Sequence, residues 1–312
     1  MAVCAPTEIM ESLHAPIRVF LIFFTRLLIT ILGIGFISCS AVLYEQTSLD
    51  LTEYPQNTLP CKDSIIVMQW NIGHFSKGIV PSSQITDIDF ENKVKEFKVL
   101  IDNSSADVIS LCEYSLLFAN TDFHPECYAD TLLFSEYQNQ FIGNNGVLRH
   151  FSLNAIMSKR ELVEPSSVDY VVNHTATITH TSAIKATDYY YNRCYINVGD
   201  RNVVLVNTHL AFDKNNPEIA VNQIKELIAA FKDDEYVLIC GDFNTSASSY
   251  KLFIDAGYQL ANSGDLETFP STKKVSPLDN IVSKGLAISN VAVIISPLSD
   301  HYPIICKISV FD

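Results

Sequence analysis

From position 61 onward, short apolar runs alternate with segments whose apolar residues recur every three or four positions. "SIIVMQW" (64–70) reads as a buried strand that ends in Asn71, and "DVISLC" (107–112) as a second that ends in Glu113. Between them Phe90, Val94, Phe97, Leu100 and Ile101 follow helical spacing. "LNAIMS" (153–158) predicts a third strand, and "RCYINVG" with "NVVLVN" (193–199, 202–207) a hairpin turning at "GDRN" and running into Thr208-His209. A helix follows, with Asn216 as its cap, Pro217 at its first position and Ile224, Leu227, Ile228 and Phe231 along one face. The strand 236–240 leads into "GDFN", Ser246 caps a short helix that stops at Gly257, and "LDNIV", "NVAVIIS" and the stretch after "SDHYP" predict the last strands.

The N-terminus follows a different rule. Residues 17–43 are almost wholly apolar, interrupted by Arg18 and Arg26, and 27–44 carry no charge. Two readings stand: a single membrane span of roughly the 20 residues that cross a bilayer, or a signal peptide with Arg18 and Arg26 as its basic region. "FISCS" resembles a bacterial lipoprotein cleavage site, which implies cleavage before Cys39 and a lipid on its thiol; Met10 is an alternative start. Either way the arginines hold the N-terminal side in the cytoplasm and export the rest. The expected organisation is a signal peptide or anchor over 1–38, a polar tether over 39–60 and one domain over 61–312, exported and membrane-anchored at the periplasm or cell surface.

Charge and cysteines narrow the function. With 21 Lys+Arg against 35 Asp+Glu the net charge is −14, which argues against gripping nucleic acid by a broad basic surface. A compact phosphate-cleaving site survives, because bound divalent cations supply positive charge locally. Apart from Cys4 and Cys39, the cysteines are Cys61, Cys112, Cys127, Cys194, Cys240 and Cys306, with no CxxC pair and no zinc spacing. Cys112, Cys240 and Cys306 sit in apolar runs and read as buried thiols, and no disulfide pairing is specified.

The candidate chemistry lies at the strand ends. Asn71, Glu113, His209, Asp242 with Asn244, and Asp300 with His301 each sit just past or just before a strand. Any one of them is accounted for by a turn. A full set made only of Asn, Asp, Glu and His points instead to strand ends that converge on one ligand.

"QWNIG", "LCEYS", "NTHL", "GDFN", "LDNIV" and "SDHYPI" occur in the order found in the endonuclease/exonuclease/phosphatase superfamily, and over 61–312 the chain resembles that family. The resemblance implies an α/β four-layer sandwich: two packed, mainly antiparallel but mixed β-sheets flanked by helices, with the site at one end. It implies a hydrolase of phosphate esters that uses Mg²⁺, with Mn²⁺ as the alternative ion. Such chemistry needs a hard cation, an in-line water and protonation of the leaving oxygen. Glu113 is the first candidate metal ligand, with Asn71 beside it as ligand or phosphate orienter and Asp300 for a second cation. Residues two apart in extended chain point the same way, so Asp242 and Asn244 would position the attacking water. His301 would do acid–base work with Asp279 behind it. His209 would face the phosphate from the other side, and Arg193, placed just before its strand, would approach it.

The remaining readings are weaker. His74 is a pocket or a structural residue; His124, His150, His174 and His180 match no motif. Tyr189, Tyr190 and Tyr191 could stack on a base or sugar, although at least one belongs to the core. The segment 115–151 has no periodic pattern and is expected to carry specificity. The leading expectation is an exported nuclease or phosphodiesterase acting on a phosphate ester, with nucleic acid as one candidate substrate. The alternative is a membrane-tethered phosphomonoesterase acting on a lipid headgroup, an inositol phosphate or a nucleotide. An inactive surface-binding domain conflicts with the intact set, and no obligate protein partner is inferred.

Overall fold

The computed structural model describes residues 63–75, 87–114, 133–143, 153–172, 189–269 and 276–311, all within the compact unit Pro55–Asp312. The leader, Cys39, the tether, Cys61, Cys127 and the histidines at 124, 150, 174 and 180 lie outside the described residues. Among those described, no helix is long and apolar enough to cross a membrane.

The elements run β1 (Ser64–Asn71), a 3-10 turn (Gly73–Phe75), α1 (Asp87–Ser104), β2 (Val108–Tyr114), β3 (Asn139–Ile142), β4 (Leu153–Ser158), β5 (Val163–Asp169), β6 (Tyr190–Val198) and β7 (Arg201–His209). They continue with α2 (Glu218–Ala230), β8 (Val237–Asp242), a 3-10 turn (Ala247–Tyr250), α3 (Lys251–Asp255), β9 (Gln259–Leu260), β10 (Asp279–Lys284), β11 (Leu286–Val293) and β12 (Ile304–Val310). Two six-stranded sheets result, in the orders β11-β12-β1-β2-β4-β3 and β5-β6-β7-β8-β10-β9. Each is mixed: β1/β2 and β7/β8 pair in parallel, the other neighbours antiparallel. The expected two-sheet α/β sandwich is observed.

The sheets repeat one topology. A parallel pair joined through a helix (β1-α1-β2, β7-α2-β8) is followed by two strands that add in reversed order, β4-β3 and β10-β9. The sequence shows no internal repeat, so the repetition lies in connectivity alone. Because both pairs end on the same side, four C-terminal strand tips meet at one edge of the sandwich.

Between the sheets lies a core of Ile65, Val67, Val108, Ile196, Val198, Leu205, Leu238, Ile281, Ile304 and Ile308, with the thiols of Cys194, Cys240 and Cys306 among them. All three thiols are free and buried, as is Cys112. Outside the second sheet, Ile224 and Leu227 of α2 and Phe253 of α3 pack with Val206, Ile239 and Phe231. Outside the first, Phe97 of α1 meets the rings of Trp70 and Phe75 at 5.1 and 5.2 Å.

Three strands escaped the pattern reading: β3, β5 and β9. Two of them, β3 and β5, are short or exposed edge strands, and β9 is a two-residue strand at the other edge of the second sheet. An edge strand covers little core and so shows little alternation, and β5 even tolerates Pro165. Strand β6 begins at Tyr190, so Arg193 lies inside it rather than before it. The cap of α2 also differs. Asp213 accepts the backbone N–H groups of Asn215 and Asn216 at 2.8 and 3.2 Å and the Asn216 amide at 3.0 Å, so Asn216 contributes only its carbonyl, to Ile219 N at 3.1 Å. Ser246 stands at the expected N-cap, but its hydroxyl turns to Ser248 Oγ at 2.7 Å.

Leu227 is fully buried in α2, whereas Val99 of α1 is 60 % exposed. Leu227→Ala should lower the unfolding free energy by about 2–4 kcal/mol, and Val99→Ala should change it by less than about 0.5 kcal/mol, both read from urea denaturation.

Candidate active site

The layer between the sheets changes character along the strands. On β1 the inward positions read Ile65, Val67, Gln69, Asn71; on β2, Val108, Ser110, Cys112; on β7, Leu205, Asn207, His209; on β8, Leu238, Cys240, Asp242. Period-two alternation puts each set on one face. Apolar side chains fill one end, neutral amides and hydroxyls follow, and ionisable groups stand at the tips.

Asp242 is the centre. Its Oδ2 accepts from Asn71 Nδ2 at 3.0 Å and lies 3.6 Å from His209 Nε2 and 3.8 Å from His301 Nε2, while Oδ1 accepts the Asn244 backbone N–H at 3.0 Å. Burial works against its charge, but the two imidazoles and these donors outweigh burial and hold the carboxyl below its usual range. Gly241 is required beside it, since a Cβ there would meet Thr208 O at 2.3 Å. Asn244 does not reach the site by extended-chain geometry: the strand stops at Asp242 and Asn244 sits at φ 46°. Its Nδ2 donates to Leu210 O at 3.0 Å and lies 2.9 Å from His209 Nε2.

Asp279 and His301 form the expected pair, with His301 Nδ1 2.7 Å from Asp279 Oδ2 and both residues buried. Burial opposes charge on His301, yet the carboxylates of Asp279 and Asp242 push its pKa up to about 10. Burial, reinforced by Asp242, pushes the Asp279 carboxyl up, against the opposing charge of His301. The backbone around His301 is clamped. Trp70 Nε1 donates to His301 O at 3.1 Å, Ser299 Oγ to Asn71 O at 2.8 Å, and His301 N to Ser299 Oγ at 3.2 Å. The Phe269 ring lies 4.7 Å from the imidazole.

Glu113 reaches the cluster through a break in its strand. The β2/β4 register shifts between Leu111 and Tyr114, and Glu113 sits at φ 52°. Strict alternation would send it away from Cys112, whereas here its Oε1 accepts from Asn71 Nδ2 at 3.2 Å. Its Oε2 lies 3.3 Å from Nε2 of His74, which is itself at φ 56°. Burial lowers the His74 pKa, with Glu113 opposing. His74 is therefore a site residue, and left-handed backbone of the kind stored at functional sites turns three of these side chains inward. Asp300 is half-buried, and its Oδ1 lies 3.3 Å from Ser299 Oγ.

Arg193 is not brought to this cluster. Inward positions of β6 are Asn192, Cys194 and Ile196, so Arg193 shares the outer face with Tyr191 and Tyr195. Tyr190 and Tyr191 are buried: Tyr190 OH donates to Gly143 O at 3.0 Å, and Tyr191 packs on Tyr170 and Phe231 at 5.2 and 5.8 Å. Neither ring is free to stack on a base. The buried polar residues behind the tips, Gln69, Ser110, Asn192 and Asn207, were not singled out from the sequence; a polar residue every second position beside a motif was the available signal.

A profile of the Endonuclease/Exonuclease/phosphatase family matches residues 68–301, most of the chain and every tip just described. The chain belongs to the Endonuclease/Exonuclease/phosphatase family. It is a hydrolytic phosphoesterase of that family, whose enzymes use divalent metals. Similar solved structures include an endonuclease/exonuclease/phosphatase from Beutenbergia cavernae (15% identity, 80% of this chain and 72% of that one, TM-score 0.59). D. rerio TDP2 complexed with single strand DNA product is also similar (13%, 79% and 99%, TM-score 0.57), as is the human Nocturnin catalytic domain with bound sulfate (18%, 81% and 96%, TM-score 0.52). At these identities the likeness is one of fold. No curated protein sequence matches the chain at a significant level.

The donor set fits a hard divalent cation on the Glu113 side. Glu113 and Asp300 are partly exposed carboxylates, which suits an ion that keeps several waters. Asn71 Oδ1 accepts Gly73 N at 3.1 Å, so it could contribute only its second lone pair. Asp242, Asp279 and His301 also present ligand atoms within 4.8 Å of one another. Their burial and the Asp279–His301 hydrogen bond mark them as proton-handling groups instead.

An unfolded imidazole titrates near 6.5, below the value of about 10 for His301 in the fold. The stability this pair contributes is therefore complete below pH ~6.5 and is lost as pH rises toward the folded value. In chelator, the unfolding free energy should fall as pH rises from about 6.5 toward about 10, and His301→Gln should flatten that fall in urea melts at stepped pH. An equal slope in both proteins would show that the pair is not the cause.

Proposed function

We propose that the chain is a divalent-cation-dependent phosphodiesterase that cleaves nucleic-acid phosphodiester bonds by attack of water. The observation that carries the reading is Asp242: one buried, ionised carboxylate held between two imidazoles, with the Asn244 backbone N–H on its other oxygen. Asp242 accepts a proton from the attacking water, and Asn244 orients that water. His301, held by Asp279, brings positive charge to the phosphate and supplies the proton for the leaving oxygen. His209 stabilises charge from the opposite side, and Asn71 orients the phosphate next to Glu113. Glu113 and Asp300 would hold Mg²⁺ or Mn²⁺, which supplies Lewis-acid neutralisation of phosphate charge. The fold shared with a TDP2 structure that contains a DNA product supports the polymer substrate.

The net charge of −14 favours a second reading, a phosphomonoesterase on a small headgroup or nucleotide, because a long polyanion is repelled by such a surface. Purified protein with Mg²⁺ should cleave single-stranded DNA and bis-p-nitrophenyl phosphate, lose activity in EDTA and regain it with Mn²⁺. Asp242→Asn and His301→Ala should each lower kcat/KM by about 10²–10⁴-fold. Turnover confined to p-nitrophenyl phosphate would select the monoesterase.

The N-terminal pattern supports an exported protein anchored through lipid on Cys39. Radiolabelled palmitate should enter the wild-type chain and not Cys39→Ser; an unlabelled, uncleaved wild-type chain would leave the membrane span as the anchor.

A further inference from the structure

Behind the catalytic tips, four fully buried polar side chains from both sheets join in one chain: Asn192 on β6, Asn207 on β7, Ser110 on β2 and Gln69 on β1. A buried polar group costs free energy unless it is paired. Here each pairing also dictates the orientation of the next group.

Ser167 Oγ donates to Asn192 Oδ1 at 2.9 Å, which leaves Asn192 Nδ2 to donate to Asn154 O at 2.8 Å and Asn207 Oδ1 at 3.2 Å. Asn207 must then present Nδ2 forward, and it donates to Ser110 Oγ at 2.7 Å and Leu111 O at 3.1 Å. A hydroxyl has one proton, and Ser110, already accepting, donates its own to Gln69 Oε1 at 2.6 Å. Gln69 therefore turns Nε2 toward Asp279 Oδ1 and Cys112 Sγ, both at 3.4 Å. A flipped Gln69 amide would set its oxygen against a buried carboxylate.

We propose that Asn192, Asn207, Ser110 and Gln69 form a one-directional hydrogen-bond relay that positions Asp279 and, through it, His301 for hydrolysis of the phosphate ester. Simple filling of the layer would be met by apolar residues of the same size, as it is one step further along the same strands at Val67, Val108, Leu205 and Cys194. The polar run is confined to the end where a fully buried carboxylate must accept the Nδ1–H of His301. A flipped Gln69 would leave the Ser110 hydroxyl proton without its acceptor and set an amide oxygen against Asp279, so Gln69 contributes a donor of fixed direction, and hydrogen bonds in such a chain polarise one another. These four are positioning residues; none touches the substrate.

The inference rests on the Asp279–His301 pair acting as proposed, and the experiment separates the two. Gln69→Met and Ser110→Ala would be compared with wild type, His301→Ala and Leu227→Ala, the last a destabilised core variant remote from the pair. Turnover of bis-p-nitrophenyl phosphate would be measured together with the low-field proton resonance of the His301 Nδ1–H. Both relay variants should lower kcat by about 10–100-fold, leave KM within about twofold and shift or broaden that resonance; Leu227→Ala should change neither. Loss of turnover in His301→Ala with wild-type kcat and resonance in the relay variants would overturn the relay alone. Wild-type turnover in His301→Ala would instead remove the role of the pair. A further check needs no core substitution: the Gln69 side-chain amide protons should shift between wild type and His301→Ala, and unchanged Gln69 resonances would also overturn the relay.

Discussion

The structure depends on keeping Asp242 ionised while it is buried. A carboxylate taken out of water costs several kcal/mol unless charge or hydrogen bonds compensate. Compensation comes from four directions: Asn71 on β1, His209 on β7, Asn244 just beyond β8, and His301 just before β12. Those groups sit on strands of both sheets, so the site exists only when the sheets are packed in register. The apolar end of the same layer supplies that packing, and the parallel pairs β1/β2 and β7/β8 bring their ends to one edge.

Between the dry core and the ionised tips lies a band of neutral polar groups. Without it, Asp279 and Asp242 would adjoin leucine and valine directly, with nothing to accept or donate at their inner faces. The band grades the polarity of the layer within a few residues of each strand: Val67 to Gln69 to Asn71, Val108 to Ser110, Leu205 to Asn207 to His209. This gradient lets one pair of sheets serve as hydrophobic core and as rigid mount for charge. The local price is backbone strain, with His74, Glu113 and Asn244 all at positive φ.

Sequence by itself determined the central strands, the two packed helices and the family, because buried strands and amphipathic helices write their burial into period and composition. It also named the tip residues, since "GDFN", "SDH" and "NTHL" are local and ordered. Edge strands β3, β5 and β9 were illegible because they cover little core.

Only the tertiary structure decided which tip groups touch. Alternation alone would have turned Glu113 away, and a register shift with a left-handed residue turned it in. The same alternation, undisturbed in β6, kept Arg193 on the outer face and buried Tyr190 and Tyr191. The pairing of His74 with Glu113 and the relay from Asn192 to Asp279 join residues as much as 210 positions apart (Gln69 to Asp279), where one chain segment carries no information about the other. Period and motif are properties of a segment; the polarity of a hydrogen bond between sheets is set by the packing of both.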